Sequence, residues 1–524
     1  MSLLRSAATI GFYTLISRVL GFIRDICTAT FIGANAMTDA FFVAFKLPNL
    51  MRRLFAEGAF NAAFVPLYAG TLAADGKPAA QKMAAESMAV LFYSLVGITI
   101  LAEIFMPELM TVLAPGFDKD PEKLALTITL TRITFPYIIF ISLVSLLGGV
   151  LNSFGRFAAV AACPILLNLC LIFSTVAYRE VFPTPAHALS FGVFAAGVLQ
   201  FAWLVFFAHR ADVLPAFQLP QLTAQVKKLL VLIAPAALGA GVAQVNLMID
   251  MILASNIPEG VSYLYYADRI NEFPLAIIGI GVGTALLPML SKQLREKAYE
   301  KAYHTQNRAI ELVMLLSLPS AVALMVIAQP ITVTLFEHGQ FTAIASAAVY
   351  PAIIAFGAGL PAFVLVKVLA PGFFANQDTK TPFQIATGCV LLNLILNLLL
   401  IGPMAHVGLA LATSIASWAN VLAMIVILRR RKLLKGDELL RFRLPRMFFA
   451  SCLMGVALTI AYAFIAPLFS GGMAIKTVAL CILIAIGLVS YSAAILMLKI
   501  ITPTQFKAML KLPRGTKATP PDAV

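Results

Sequence analysis

Two neighbouring blocks of the chain set charge among apolar residues. SRVLGFIRD (17–25) holds Arg18, Arg24 and Asp25, and TDAFFVAFKLPNLMRRLFAEGAF (38–60) holds Asp39, Lys46, Arg52, Arg53 and Glu57. A third block, YYADRINEFP (265–274), adds Asp268, Arg269 and Glu272, and Lys367 interrupts a later apolar stretch. On a helix, Asp39, Lys46 and Arg53 recur every seven residues with Glu57 four further on, so they share a face. Ser17, Gly21 and Arg24 form another such face. Guanidinium groups offer a planar fork of donors that matches phosphate oxygens, stay charged, and shed water more readily than ammonium. Arg24, Arg52 and Arg269 together suit a diphosphate.

The sequence offers little for catalysis. It has no glycine-rich phosphate loop, no HExxH, no GxSxG and no tight carboxylate pair for Mg²⁺. Its six cysteines (27, 163, 170, 389, 452 and 481) lie in apolar stretches without CxxC spacing, and its five histidines are scattered. They predict neither disulfides nor a metal centre. The expectation is binding and movement of an anionic, phosphate-bearing amphiphile, with no enzyme activity and no nucleic-acid partner.

The surroundings of these charges decide what they must do. Hydrophobic residues make up 61% of the 524 positions and charged ones only 12%, where a soluble domain has about a quarter charged. With a mean hydropathy of +0.93, the chain reads as an all-α polytopic membrane protein. About fourteen stretches can cross roughly 30 Å of hydrocarbon. They lie near 5–33, 37–70, 83–107, 124–153, 159–179, 187–209, 229–255, 261–290, 309–336, 343–374, 383–402, 405–429, 447–468 and 474–499. Pro48 is expected to kink the second. A central Arg or Lys costs about 2.5–3.5 kcal/mol on insertion. So many charges therefore predict a hydrated cavity, the alternative being neutral pairs fixed within the bundle.

Much of the formal charge of +14 falls in alternate loops, including Lys77–Lys82, Arg210–Lys228, Lys292–Arg308, Arg429–Arg446 and the tail. The positive-inside rule places that set and both termini in the cytoplasm. The chain also matches itself at an offset of about 215–226 residues. Leu3-Leu4 pairs with Leu229-Leu230, Pro66 with Pro288, Gly116 with Gly339, Pro136 with Pro351, and Leu166-Leu167-Asn168 with Leu391-Leu392-Asn393. An offset of six spans predicts two pseudo-symmetric six-helix lobes of like topology, 1–215 and 225–432, with the substrate path between them. Spans 13 and 14 (445–500) are an appendage, and 501–524 a cytoplasmic tail.

SRVLGFIRD, GANAMTDAFFVAFKLPNLMRRLFAEGAFNAAFVP, YYADRINEFP, GVGTALLP and VKVLAPGFFANQDTKTP together resemble the bacterial lipid II flippase MurJ (MviN) family of the multidrug/oligosaccharidyl-lipid/polysaccharide exporter superfamily. The resemblance runs over essentially the whole chain. It implies a multi-pass protein of the bacterial inner membrane, with the last two helices lining a lipid groove. The implied activity is export of lipid II, the undecaprenyl-diphosphate-linked disaccharide-pentapeptide of peptidoglycan synthesis, with membrane lipids and a cell-wall synthesis complex as partners. Carried over motif by motif, the substrate residues are Ser17, Arg18, Arg24, Lys46, Arg52, Arg53 and Arg269, with Asp39 and Glu57 as gating or neutralising acids. Some relatives hold sodium between spans 7, 11 and 12, and Asp250, Asn393 and Thr413 match those positions. The second carboxylate that the pattern can carry is Asn397 here, which weakens ion binding. The nearest rivals are a flippase of another undecaprenyl-linked glycan, or an antiporter of the same superfamily, whose cavity acids should dominate.

Overall fold

The computed structural model describes residues 3–53 and 60–500, except the side chains of 3–8, 62, 234–240, 242–243 and 279–285. All regular structure among the described residues is helical. Nine helices there are long and apolar enough to cross a membrane. Two of these are each broken once, at Gly76 (φ +81°) and Ala405 (φ +48°).

The chain divides into two compact units. The first comprises the chain up to Ile270, Leu335–Ala352 and Lys380–Ala416. It contains α1 (Leu3–Phe31), α2 (Ala36–Met51), α3 (Phe60–Ile104), α4 (Met106–Leu113), α5 (Pro121–Thr134), α6 (Tyr137–Ser153), α7 (Phe157–Ala177), α8 (Pro185–Arg210) and α9 (Ala224–Ala254). α10 (Gly260–Arg295) contributes its first turns. The core of this unit follows helical spacing: Met106, Met110, Leu113 and Phe117 pack with Val43, Leu47, Phe135 and Met251.

Span 2, expected over 37–70 with a kink at Pro48, is described over 37–53 and 60–70. α2 begins on the Asn35 cap, whose side chain accepts from Met37 N and Thr38 N, and it ends at Met51 in a wide turn at Arg52–Arg53. Helix is described again from Phe60. Pro48 lies inside α2, has no N–H and cannot bond the Ala44 carbonyl one turn back. That carbonyl instead accepts from Thr134 Oγ1 at 3.0 Å. Thr134→Val should orphan it and cost about 1–3 kcal/mol, read as a lower unfolding temperature of the detergent-solubilised protein.

The second unit comprises Asn271–Thr334, Ile353–Thr379 and the chain from Ser417. In it α11 (Tyr299–Val326) packs on α15 (Glu438–Ile465), and α15 on α16 (Met473–Met497). The proline device recurs, with Tyr491 Oη donating 2.7 Å to the Leu315 carbonyl four residues before Pro319. Near the start of α15, buried Glu311 accepts from both Arg308 and Arg443, and Arg308 also donates to Asp437 at 2.5 Å. Three further helices, α12 (Ala328–Leu335), α13 (Ala343–Phe374) and α14 (Lys380–Arg430), complete the element order.

Candidate functional site

Within the first unit, α1, α7 and α10 bring Arg24, Asp25, Asn168, Tyr265 and Arg269 into one buried cluster. Asp25, 1% exposed, accepts from Arg24 Nε at 3.0 Å and Nη2 at 2.7 Å, from Tyr265 Oη at 3.0 Å, and from Arg269 Nε. Arg24 Nη1 donates 3.2 Å to Asn168 Oδ1, whose amide nitrogen donates 2.9 Å to the Ser17 carbonyl. Two guanidinium groups converge on this one carboxylate. Tyr265 is fixed by stacking on Phe42, with ring centroids 3.7 Å apart.

Gly21 makes this approach possible. A Cβ there would lie 2.9 Å from Arg269 Nη2 and 3.6 Å from the Asn168 amide. Gly21→Ala should push the Arg269 guanidinium off Asp25, a displacement detectable as lost transport with normal expression.

A second cluster stands at one end of the same unit. Asp39, fully buried in the first turn of α2, accepts from Lys123 Nζ at 2.7 Å, Ser262 N at 2.8 Å and Ser262 Oγ at 2.5 Å. The turns beside it close tightly: Tyr266 Oη and Thr38 Oγ1 donate to the Gly33 carbonyl, and Gln340 N donates to the Thr30 carbonyl. This latch ties α2, α5 and α10 together.

A third cluster holds Asp250. Asn397 Nδ2 donates to Asp250 Oδ1 at 2.7 Å and Asn246 Nδ2 to Oδ2 at 3.2 Å. The Asn393 amide lies 3.1 Å from Asp250 Oδ1 and 3.3 Å from Thr413 Oγ1. Asn397 Oδ1 is buried without a donor among the described residues. Lys46 acts electrostatically on Asp250.

Of the residues singled out in the sequence, Ser17, Arg24 and Arg269 meet in the first cluster, and Asp250, Asn393 and Thr413 in the third. Asp39 is the centre of the latch. Arg52 folds onto Asn49 Oδ1, at 3.0 Å from Nε and 2.8 Å from Nη2, while Arg18 and Arg53 are exposed. Glu57 lies outside the described residues.

The family model for the lipid II flippase MurJ matches residues 28–504. The chain belongs to the MurJ family. It is 42% identical over 500 residues to a probable lipid II flippase MurJ of Rhizobium meliloti (strain 1021), covering 94% of this chain and 93% of that one. A lipid II flippase MurJ of Burkholderia cenocepacia is 38% identical over 436 residues, 82% of this chain and 84% of that one. Among solved structures, a lipid II flippase MurJ in an inward closed conformation superposes with a TM-score of 0.78 at 26% identity. That match covers 93% of this chain and 98% of that one. A multidrug transporter of the MATE family shares the fold alone, with a TM-score of 0.68 at 15% identity over 82% of this chain and 98% of that one.

Against this MurJ family pattern, several site residues carry little signal in the sequence alone. Asp25 reads as a mere neighbour of Arg24, and Tyr265 as an aromatic on an apolar helix. Asn168 is visible only through its repeat pairing with Asn393. Lys123, in the first turn of α5, follows a segment read as a loop on the side where the positive-inside rule predicts few lysines.

Proposed function

We propose that this chain moves lipid II from the cytoplasmic to the periplasmic leaflet by alternating access between two six-helix lobes. The observation that carries the reading is the buried cluster of Arg24 and Arg269 on Asp25 in a chain of the MurJ family. In this arrangement Asp25 occupies donors of both arginines, so a diphosphate must take over hydrogen bonds that the carboxylate now uses. The exchange keeps the guanidinium groups paired throughout, and the released Asp25 carboxylate keeps the Tyr265 hydroxyl and must gain water or a proton as the diphosphate enters. The polyprenyl tail stays in lipid, along the groove beside α15 and α16, while the head group fills the hydrated cavity.

The Asp39 latch lies at the periplasmic end under the positive-inside reading, with both termini cytoplasmic. Head-group binding drives the transition only through its different affinity for the two states. The membrane potential adds about 2.3 kcal/mol per charge per 100 mV toward returning a cationic site inward. In cells depleted of their own flippase, this chain should restore lipid II at the outer leaflet, accessible to an externally added enzyme. Growth restored without outward lipid II would contradict the reading.

The Asp250 cluster fits a sodium ion in its donor set. The Asp250 carboxylate, the Asn393 amide oxygen and the Thr413 hydroxyl would hold it, and the Asn397 oxygen, without a donor among the described residues, is a further acceptor. Bound there, the ion would supply a positive charge that ties α9 to α14. A single carboxylate makes the site weak. Asn397→Asp should strengthen it, measured as tighter binding of radioactive sodium to the purified protein.

A further inference from the structure

The connection from α8 to α9, residues 211–223, crosses the first unit as a non-helical strap fastened at both ends. At its start, Asp212 Oδ2 accepts from Lys77 Nζ at 2.7 Å, and the Asp212 carbonyl accepts from Gln81 Nε2 at 3.0 Å. The hydrogen bond and charge of Lys77 hold the Asp212 carboxyl below its usual range. At its end, Thr223 donates 2.8 Å to buried Glu86 and caps α9 by accepting from Val226 N. Between these points Phe217 packs edge-on to Phe92 and beside Tyr93.

Under the strap is a cavity of about 490 Å³. Its apolar walls include Met88, Leu147, Phe201, Val205, Leu214 and Phe217, and His209 and Asp212 are its polar members. The volume falls within the range of ligand sites, and the walls suit hydrocarbon. Two observations define the occupant. First, the strap exposes Leu219 and Leu222, which is favourable at a membrane interface and costly in water. Second, residues 75–86 and 209–228 carry Lys77, Lys82, Arg210, Lys227 and Lys228 against Asp75, Glu86 and Asp212. That excess of cations matches an anionic head group.

We propose that this cavity binds an anionic phospholipid of the cytoplasmic leaflet, one acyl chain beneath the strap and the head group on the basic residues around it. The site rests on the membrane orientation read above and is independent of which lipid is transported. A zwitterionic lipid has the same chains but gains nothing from the net charge. The strap leads directly into α9, the helix of Asp250, so an occupant fixes the first turn of that helix.

The test is photolabelling of the full-length protein in vesicles with a phosphatidylglycerol that carries a diazirine in its acyl chain. Labelled peptides should contain Phe201–Val205 and Leu214–Phe217, and excess unlabelled phosphatidylglycerol should displace the label where equal phosphatidylcholine does not. Val205→Trp should fill the cavity and lower labelling there at least about fivefold, with labelling of α16 as the internal control. Lys82→Gln combined with Arg210→Gln leaves the walls intact and should erase the preference for phosphatidylglycerol. Labelling no denser than on α16, or equal competition by phosphatidylcholine, would overturn the proposal. So would displacement by lipid II in place of phosphatidylglycerol, which would make the cavity part of the transport path. Lipid II flipping can fail while this labelling persists, so the two readings are judged separately.

Discussion

Arg24→Ala and Arg269→Ala are each expected to abolish lipid II flipping while the protein still reaches the membrane in normal amount. Removing one partner of a buried, hydrogen-bonded charge pair costs about 2–5 kcal/mol of binding, or a factor of at least about 30 at 1.4 kcal/mol per decade. The fold should tolerate either change. Asp25 keeps Arg269 and Tyr265 when Arg24 is lost, and keeps Arg24 and Tyr265 when Arg269 is lost. Arg24→Lys should fail almost as badly as Ala, although it preserves charge. A single ammonium cannot reproduce donation from Nε and Nη2 to Asp25 together with Nη1 to Asn168. Flipping rates from purified variants at matched protein amounts decide this. A fully active Arg24→Lys would remove the fork geometry from the account.

Asp39→Ala is expected to produce the largest loss of stability. Its carboxylate is fully buried, and the side chain of its partner Lys123 is only 9% exposed. Truncating the acid strands that ammonium and orphans the Ser262 N–H, a situation worth about 3–5 kcal/mol. Removing Lys123 as well should recover a large part of the loss, because no unpaired charge then remains. The measurement is a double-mutant cycle on the unfolding temperature in detergent. Additive effects of Asp39→Ala and Lys123→Ala would show that the two do not act as a pair.

Helices whose stability comes from apolar length alone were legible in the sequence. α13 runs over Ala343–Phe374, the range read from hydropathy, and α7 and α8 lie within about two residues of theirs. What hydropathy could not show is where the backbone leaves the helix. The Gly76 and Ala405 breaks interrupt long apolar helices, and α4 and the short turn that follows it fill a segment read as a loop. Carbonyls freed by a proline inside a helix likewise depend on partners supplied by other helices, such as Thr134 to Ala44. The charged residues show the same division. That Arg24 and Arg269 needed a polar enclosure followed from the cost of burying charge. That Asp25 would join them, or that Asp39 would find Ser262 across 223 residues, depends on helix packing, which periodicity does not encode. Asn168 stood between these cases, because the repeat placed it opposite Asn393 without saying what it touches.

The most direct measurement is lipid II flipping in proteoliposomes loaded with lipid II and, separately, with another undecaprenyl-linked glycan. Wild-type protein should expose lipid II on the opposite leaflet well above protein-free vesicles and well above the other glycan, and Arg24→Ala and Arg269→Ala should fall to the protein-free level. Equal flipping of both lipids, or undiminished flipping by both variants, would contradict the central claim.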